Sequence, residues 1–280
     1  MEELSFQDFH QYLLGQNGRI IHSSWFGLIP TKRAARKAYE SLKKYRDTWL
    51  IKNPNWLHIT WNYQRSRDLI KYLYPQHLAL FDGYSHHIQR SDISRYFILH
   101  AYGGLYKDAD YVCVKSWDQV IKDFPGDLYL VETPNKMTDQ VHISNSLMFS
   151  RIRGHPFWPS VFLELEKTKD PPGYYGRHMQ IMVSTGPIML NHVYHATRLR
   201  NRLNHYPYEQ FHPGGLDVEG YTTDRTNIYA YHHGKGSWEG TDSKILILIY
   251  QEWKILSIIV LGLIVPCVIY WIINRKNSIQ

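Results

Sequence analysis

Two aspartates, Asp108 and Asp110, are separated by one alanine in the stretch GGLYKDADYV, which covers residues 103–112. Apolar and aromatic residues flank the pair, which therefore stands at the end of a segment typical of a buried strand. Two carboxylates this close repel each other unless a neighbouring charge compensates them. A divalent cation does so, and hard oxygen ligands are typical of Mg²⁺ and Mn²⁺ sites. The spacing is consistent with a metal site, but acidic pairs at strand ends are also common as solvated turns.

A second pair of charged residues, Asp92 and Arg95, precedes the aspartates. The two are three positions apart and so share one face of the helix predicted for residues 91–104. Ser91 is the expected N-cap, which places Asp92 in the first turn, and the following two glycines are expected to end the helix. One interpretation is a charge at the helix N-terminus plus an i,i+3 ion pair, worth roughly a few tenths of a kcal/mol. The other is a carboxylate that binds ribose or sugar beside a guanidinium that binds phosphate.

Alternating strand and helix patterns predict one α/β domain over residues 18–243, preceded by an N-terminal arm or helix over residues 1–17. Helices are predicted at residues 31–52 and 155–169, and strands at residues 56–62, 105–114, 127–133 and 144–151. The strand over 105–114 would carry both aspartates of the pair. No internal repeat or low-complexity linker interrupts this pattern.

The C-terminal segment ILSIIVLGLIVPCVIYWII, residues 255–273, contains no charged residue. At about 1.5 Å rise per residue a helix of this length spans roughly the hydrocarbon core of a bilayer. Aromatic residues lie near both ends, where membrane interfaces favour them. We predict a single transmembrane helix, followed by a short polar tail at residues 274–280. Positive charges on both flanks leave its orientation open.

Composition argues against a nucleic-acid partner. The net charge is +7, but four cations against one acid fall within residues 244–280, so the rest of the chain holds only a weak positive excess. The basic stretch KRAARK, residues 32–37, is more typical of a solvated helix face. The two cysteines, Cys113 and Cys267, have no metal-ligand spacing and are not expected to pair.

The stretch SDISRYFILHAYGGLYKDADYV, residues 91–112, resembles the signature of retaining GT-A glycosyltransferases with a DXD sugar-binding region. Within that group it is most similar to glycosyltransferase family 32, which includes the inositol-phosphorylceramide mannosyltransferases. The matching positions are Ser91, Asp92, Arg95, Tyr96, Gly103, Gly104, Tyr106, Asp108 and Asp110. Lys107 and Ala109 depart from the family pattern, which usually has apolar residues at both positions.

The resemblance implies a GT-A fold, with a Rossmann-like central sheet flanked by helices, to which the C-terminal transmembrane helix is added. It assigns catalytic roles to Asp92, Arg95, Asp108 and Asp110. It assigns donor contacts to His22, Trp25, Asp92, Arg95, Gly104, Tyr106, Asn145, Ser237 and Trp238. The implied metal ligands are Asp110, Asp108, His232 and His233, with Mn²⁺ preferred and Mg²⁺ as the alternative.

The implied function is a membrane-anchored, metal-dependent, retaining glycosyltransferase of Golgi- or ER-type endomembranes. It would transfer mannose from GDP-mannose, or another sugar from a UDP-sugar, to a glycolipid or glycan acceptor. Since no carboxylate pair for double displacement is evident, we expect same-face attack, with the leaving phosphate taking the acceptor proton.

Two alternatives come from other classes. DADYV also fits the nucleophile motif of haloacid-dehalogenase phosphatases, although that motif normally follows the first strand of the fold. A membrane-tethered sugar binder without turnover is the third hypothesis.

Overall fold

The computed structural model describes residues 4–26, 32–133, 140–213, 225–234, 241–244, 263–266 and 268. The chain forms two units, one of residues 1–174 with 179–235 and the other of residues 175–178 with 236–280. The catalytic-domain boundaries predicted from the sequence remain a prediction.

The described residues form alternating helices and strands. The helices are α1 Phe6–Leu14, α2 Lys32–Lys52, α3 Tyr63–Leu73, α4 Leu78–Gly83, α5 His87–Tyr102, α6 Trp117–Asp123, α7 Phe157–Thr168, α8 Arg177–Ser184, α9 Pro187–Ala196 and α10 Tyr208–Phe211. The strands are β1 Ile20–Ser24, β2 Leu57–Trp61, β3 Gly104–Lys107, β4 Tyr111–Cys113, β5 Leu128–Thr133, β6 His142–Ser150, β7 Asn204–Tyr206 and β8 Ala230–His232.

Six of these strands form one mixed sheet in the order β2-β1-β3-β6-β5-β7. β1 lies parallel to β2 and β3, whereas β6 lies antiparallel to both of its neighbours. β4 and β8 form a separate antiparallel pair, in which Tyr111 lies opposite His232. The α/β architecture predicted from the sequence is confirmed.

The sheet lies between two apolar clusters because successive strand residues point to opposite faces. On β3, Tyr106 belongs to the cluster that includes Phe97 of α5 and Trp158 of α7. Its neighbour Leu105 belongs to the other cluster, which includes Trp49 of α2 and other bulky rings. Helices therefore cover both faces of the sheet.

Two details around the acidic pair differ from the sequence-based expectation. α5 begins at His87, not after Ser91, because the Gln89 side chain accepts a hydrogen bond from the His86 main chain and caps an earlier turn. Asp92 is therefore not in the first turn of the helix. The expected single strand over 105–114 is also wrong: it is divided into β3 and β4 by a turn at residues 108–110.

The end of α5 agrees with the expectation. Gly103 and Gly104 have φ values of 66° and 83°, a region that favours glycine. At Gly104 a Cβ atom would also collide with the carbonyl oxygen of Ile20 on β1. The two glycines thus end the helix and let β3 lie against β1, and the acidic turn follows directly at the C-terminal end of β3.

The second unit is described only in part. Within it, the His178 main-chain N–H donates to the Asp242 carboxylate at 2.7 Å, and the His178 ring contacts the Ser243 hydroxyl at 2.9 Å. The predicted transmembrane segment 255–273 lies almost entirely outside the described residues, apart from residues 263–266 and 268, which are helical and exposed. No helix within the described ranges is long and apolar enough to span a bilayer.

Candidate active site

The acidic pair lies in the turn where the chain leaves the main sheet for the two-stranded sheet. The Asp108 main-chain N–H donates to the Ser146 carbonyl on β6 at 2.8 Å. The Tyr111 N–H then donates back to the Asp108 carbonyl at 3.1 Å and closes the turn. The two aspartates are therefore fixed by the main chain and not only by their side chains.

His232 is brought beside the acidic pair by β8, although it lies 122 residues from Asp110. Its Nε2 lies 2.9 Å from Asp110 Oδ1 and 3.8 Å from Asp108 Oδ2. Burial lowers the pKa of His232, but the hydrogen bond to Asp110 and the two carboxylate charges outweigh it, so the pKa is raised. The Tyr111 ring stacks on the imidazole with 4.7 Å between centroids.

His233, the other predicted metal ligand, takes a different position. Its main-chain N–H donates to the Asp110 carbonyl at 3.2 Å. Its ring lies 5.0 Å from the Tyr45 ring and 6.4 Å from the Tyr231 ring. His232 therefore has the better placement of the two beside the carboxylates.

Arg95 is almost fully buried, with 3% of its surface exposed, and connects the helix to the acidic turn. Its Nη2 donates to Asp92 at 2.6 Å, and its Nη1 donates to Asp108 at 3.1 Å and to the Asn145 carbonyl at 2.7 Å. Its guanidinium also lies 4.8 Å from the centroid of the Tyr106 ring. This guanidinium is thus largely committed to contacts within the protein, which points to a positioning role.

The i,i+3 ion pair between Asp92 and Arg95 is present, and both side chains are buried. One carboxylate oxygen accepts from Arg95, and the other accepts from the Thr185 hydroxyl at 3.0 Å. Burial raises the pKa of Asp92 to about 6, although Arg95 opposes the shift. Burial also raises the pKa of Asp108. Breaking such a buried pair by removing one partner leaves an uncompensated charge.

A polar network surrounds this pair and connects it to Tyr96, Asn145 and Thr185. The Tyr96 hydroxyl donates to the Thr185 carbonyl at 2.8 Å, and the Asn145 amide donates to the Tyr96 hydroxyl at 3.1 Å. Asn145 was predicted to face the donor sugar; its amide is hydrogen-bonded within this network and 6% of the residue is exposed. Thr185 lies in the stretch STGP, residues 184–187, which resembles the family's loop near the reaction centre.

Of the residues predicted to bind the donor, some lie beside the acidic pair and others do not. Tyr106 lies within the site, and its hydroxyl donates to Asp108 at 3.2 Å. Gly104 lies inside the sheet, and Trp25 lies half-buried just after β1. Ser237 and Trp238 lie outside the described residues.

His22 does not have the open position expected of a nucleotide contact. The ring is fully buried; its Nε2 is 3.0 Å from the Gly103 carbonyl, and its Nδ1 accepts from the Trp61 indole at 3.1 Å. Burial lowers the pKa of His22 to about 3, so the ring is neutral. Both ring nitrogens are used inside the protein, which does not support the predicted contact with a base.

Lys107, the departure from the family pattern, points into the apolar cluster on the opposite face of β3 from Tyr106. Only 4% of the residue is exposed, and its ammonium lies 5.7 Å from the centroid of the Trp49 ring. Burial lowers its pKa to about 8, although Asp110 and Asp108 favour the charged form. It therefore places a buried cation beneath the acidic turn.

The donor atoms gathered here suit a hard divalent cation, because they comprise two carboxylates and one imidazole. The described residues nevertheless contain no group of three or more His, Cys, Asp or Glu side chains that could hold a metal ion as placed. Asp110 and His232 are hydrogen-bonded to each other. Metal binding would therefore require this hydrogen bond to be replaced.

Comparison with known families supports the resemblance seen in the sequence. Residues 39–125 match the family described as a glycosyltransferase sugar-binding region containing a DXD motif. This range includes both charged pairs, Asp92 with Arg95 and Asp108 with Asp110.

Several curated proteins are similar over much of the chain. Inositol phosphoceramide mannosyltransferase 2 of Schizosaccharomyces pombe is 28% identical over 229 residues, which cover 82% of this chain and 60% of that protein. A mannosyl phosphorylinositol ceramide synthase of Saccharomyces cerevisiae is 34% identical over 155 residues, or 55% of this chain and 38% of that protein. The match to the first of these thus spans less than two thirds of the relative's length.

Among solved structures, the PaToxG glycosyltransferase is similar with a TM-score of 0.43 at 13% identity, covering 68% of this chain and 76% of that one. The galactosyltransferase LgtC in complex with donor and acceptor sugar analogues is similar with a TM-score of 0.42 at 12% identity. The match covers 83% of this chain and 94% of that one. These TM-scores are too low to carry an argument. The family match and the curated relatives confirm the resemblance, and the chain carries the DXD sugar-binding region of glycosyltransferases.

Proposed function

We propose that the chain is a metal-dependent, retaining glycosyltransferase of GT-A type that transfers mannose from GDP-mannose to a glycolipid. The observation that carries the proposal is the convergence of Asp108, Asp110 and His232 beside the buried Asp92–Arg95 pair. The mannose donor and the inositol-phosphoceramide type of acceptor are inferred from the names of the curated relatives. A UDP-sugar donor is the alternative within the same chemistry.

Asp110, Asp108 and His232 would hold the divalent cation, with Mn²⁺ preferred. Their donor types fit such an ion, and its chemistry is to offset negative charge on the departing diphosphate. Arg95 holds Asp108 in place by a hydrogen bond and is itself held by Asp92. These contacts would keep the carboxylates in position before substrate binds, which limits reorganisation during the reaction.

Retention of the anomeric configuration is part of the proposal and rests on the family resemblance. The acceptor hydroxyl would attack on the face from which the diphosphate leaves, forming the new glycosidic bond as the sugar–phosphate bond breaks. The departing phosphate oxygen would take the acceptor proton. The haloacid-dehalogenase alternative has no comparable support, since the family match that includes Asp108 and Asp110 is to glycosyltransferases.

A transfer assay with the purified full chain in detergent tests the activity. GDP-mannose and UDP-sugars are each supplied with inositol phosphoceramide and with Mn²⁺, Mg²⁺ or a chelator, and the product's anomeric configuration is read by NMR. We expect mannose transfer from GDP-mannose that needs Mn²⁺ and gives the α-mannoside. Asp110→Asn should abolish transfer, whereas Asp118→Asn, an exposed aspartate paired with Arg19, should not. Full turnover by Asp110→Asn would refute the assignment.

We also propose that residues 255–273 anchor the chain in an endomembrane of Golgi or ER type. The support is the uncharged sequence of this segment and the lipid-directed activity named for the relatives. Alkaline carbonate extraction of membranes carrying the full chain provides the test. The chain should stay with the membrane pellet and enter the supernatant only with detergent; release by carbonate alone would contradict the anchor.

A further inference from the structure

Most of the positive charge of the chain lies on one helix, α2. Its residues Lys32–Lys52 include eight lysines and arginines and two acids, a net charge of +6, whereas the whole chain carries +7. Among the lysines of α2 with described side chains, Lys37, Lys43, Lys44 and Lys52 are exposed. None of these four forms a salt bridge within the described part of the chain. Their charge is therefore available to an external anion.

Two of these lysines form a row with an exposed aliphatic residue on the outer face of α2. Lys37, Lys44 and Ile51 follow one another at seven-residue intervals, or about two helical turns, so the three side chains leave the helix in nearly the same direction. Ile51 is 76% exposed, and the adjacent Leu50 is 40% exposed. Cations alone would indicate a solvated helix face. Cations together with exposed aliphatic side chains are what a helix needs to lie on an anionic bilayer.

The inner face of α2 packs against the segment that directly follows the acidic turn. Tyr45 and Trp49 are buried on this face. The Trp49 indole donates to the Tyr111 carbonyl at 2.7 Å, and the Thr48 hydroxyl accepts from the Cys113 main-chain N–H at 2.9 Å. A surface that contacts the outer row is therefore separated from this segment by about one helix diameter, roughly 10–12 Å.

We propose that the outer face of α2 docks on an anionic lipid bilayer. Its lysines would bind lipid phosphates, and Leu50 and Ile51 would enter the boundary between headgroups and acyl chains. A bilayer fits this face better than a nucleic acid does, because a nucleic acid would contact the lysines and leave the two aliphatic side chains in water. The proposal concerns lipid binding and needs neither a metal nor a sugar donor, so its outcome is independent of the proposed transfer reaction.

An environment-sensitive fluorophore on Ile51→Cys measures whether α2 contacts the bilayer. The full chain, with Cys267→Ser to remove the cysteine of the apolar C-terminal segment, is reconstituted with vesicles of phosphatidylcholine alone or of phosphatidylcholine and phosphatidylinositol in equal parts. Cys113 is buried, so it should remain unlabelled. We expect the emission to move to shorter wavelength in the anionic vesicles only, and high salt to reverse this shift because salt screens the charges.

The same fluorophore on Leu163→Cys is the matched control for position. Leu163 is 66% exposed on α7, which packs on the opposite face of the sheet from α2. Its emission should be the same in both kinds of vesicle. An equal shift at residues 51 and 163 would show unspecific adsorption and would overturn the proposal.

Neutralising the row tests the contribution of charge. Lys37→Gln together with Lys44→Gln should lower the ratio of docked to undocked chain about 30-fold, because each cation at an anionic surface contributes roughly fivefold. Lys167→Gln together with Lys169→Gln removes the same charge from α7 and should leave the shift unchanged. Glutamine keeps a high helix propensity, and circular dichroism checks the fold. If the double variant does not fold, Lys44→Gln alone should lower the ratio about fivefold.

Two results would overturn the proposal at the level of the partner. The first is identical emission of the residue 51 probe in neutral and anionic vesicles, or a shift that the lysine substitutions leave intact. The second is a response of this probe to duplex DNA without a response to anionic vesicles, which would assign the outer face of α2 to a nucleic acid.

Discussion

Replacing the buried His22 by glutamine should reduce the loss of stability in mild acid. The imidazole contacts the Gly103 carbonyl and the Trp61 indole in the core, and burial lowers its pKa to about 3. In the unfolded chain a histidine has a pKa of about 6.5. Between these values the unfolded state binds a proton that the folded state excludes. The stability contributed by the neutral ring is therefore present above about pH 6.5 and is lost as the pH falls towards 3.

The size of the effect follows from the two pKa values. With a folded pKa of about 3 and an unfolded pKa of about 6.5, linkage gives a loss of about 2 kcal/mol between roughly pH 7.5 and 5. Glutamine does not titrate, so the free energy of unfolding of the variant should fall by about 2 kcal/mol less over the same pH interval. Other histidines with lowered pKa values, such as the half-buried His58 and His100, titrate equally in both proteins, so their contributions cancel in the comparison. The variant also loses buried hydrogen bonds, worth roughly 1–3 kcal/mol at neutral pH.

Urea unfolding of the full chain at several pH values measures this difference, with His192→Gln as the exposed control. We expect the free energy of unfolding to fall equally steeply with falling pH in the wild type and the control. In His22→Gln it should fall less steeply. The KM of the same variant for the donor nucleotide sugar is also measured. It distinguishes a role of His22 in core packing from a contact of His22 with the nucleotide. An unchanged pH slope together with a large rise in KM for the donor would refute the structural role and favour the contact predicted from the sequence.

Three further substitutions test the packing around the site by urea unfolding at pH 7. Arg95→Met leaves Asp92 buried without its cation and should cost about 3–5 kcal/mol; unchanged stability would show that the pair is not buried in solution. Lys107→Met should raise stability by up to about 3 kcal/mol, because burial lowers the lysine pKa to about 8 and the charge is costly; a less stable variant would contradict this. Gly104→Ala should cost at least about 2 kcal/mol, since φ is positive and a Cβ atom meets a neighbouring carbonyl. Gly83→Ala, with open space around it, is its control and should be tolerated.

Much of the fold follows from local patterns. Helical periodicity predicted α2, and alternation predicted β2, because each of these elements buries one side against its neighbours. The stretches at residues 155–169, 127–133 and 144–151 predicted α7, β5 and β6. The start of α5 and the break between β3 and β4 were missed. A capping contact of Gln89 and the pairing of β4 with β8 decided them, and neither has a clear signal in the local sequence.

The sequence by itself determined the residue types that could do chemistry: an Asp-x-Asp pair, an Asp and an Arg on one helix face, and two glycines between them. Their spacing was informative because the i,i+3 geometry and the positive φ of glycine are local properties of the chain. Only the tertiary structure decided that Asp92 and Arg95 are buried, that Thr185 holds the carboxylate and that His22 belongs to the core. It also selected His232 as the closer of two adjacent histidines. These contacts join segments far apart in the chain, so the packing of the sheet and helices, and no local pattern, sets their distances and burial.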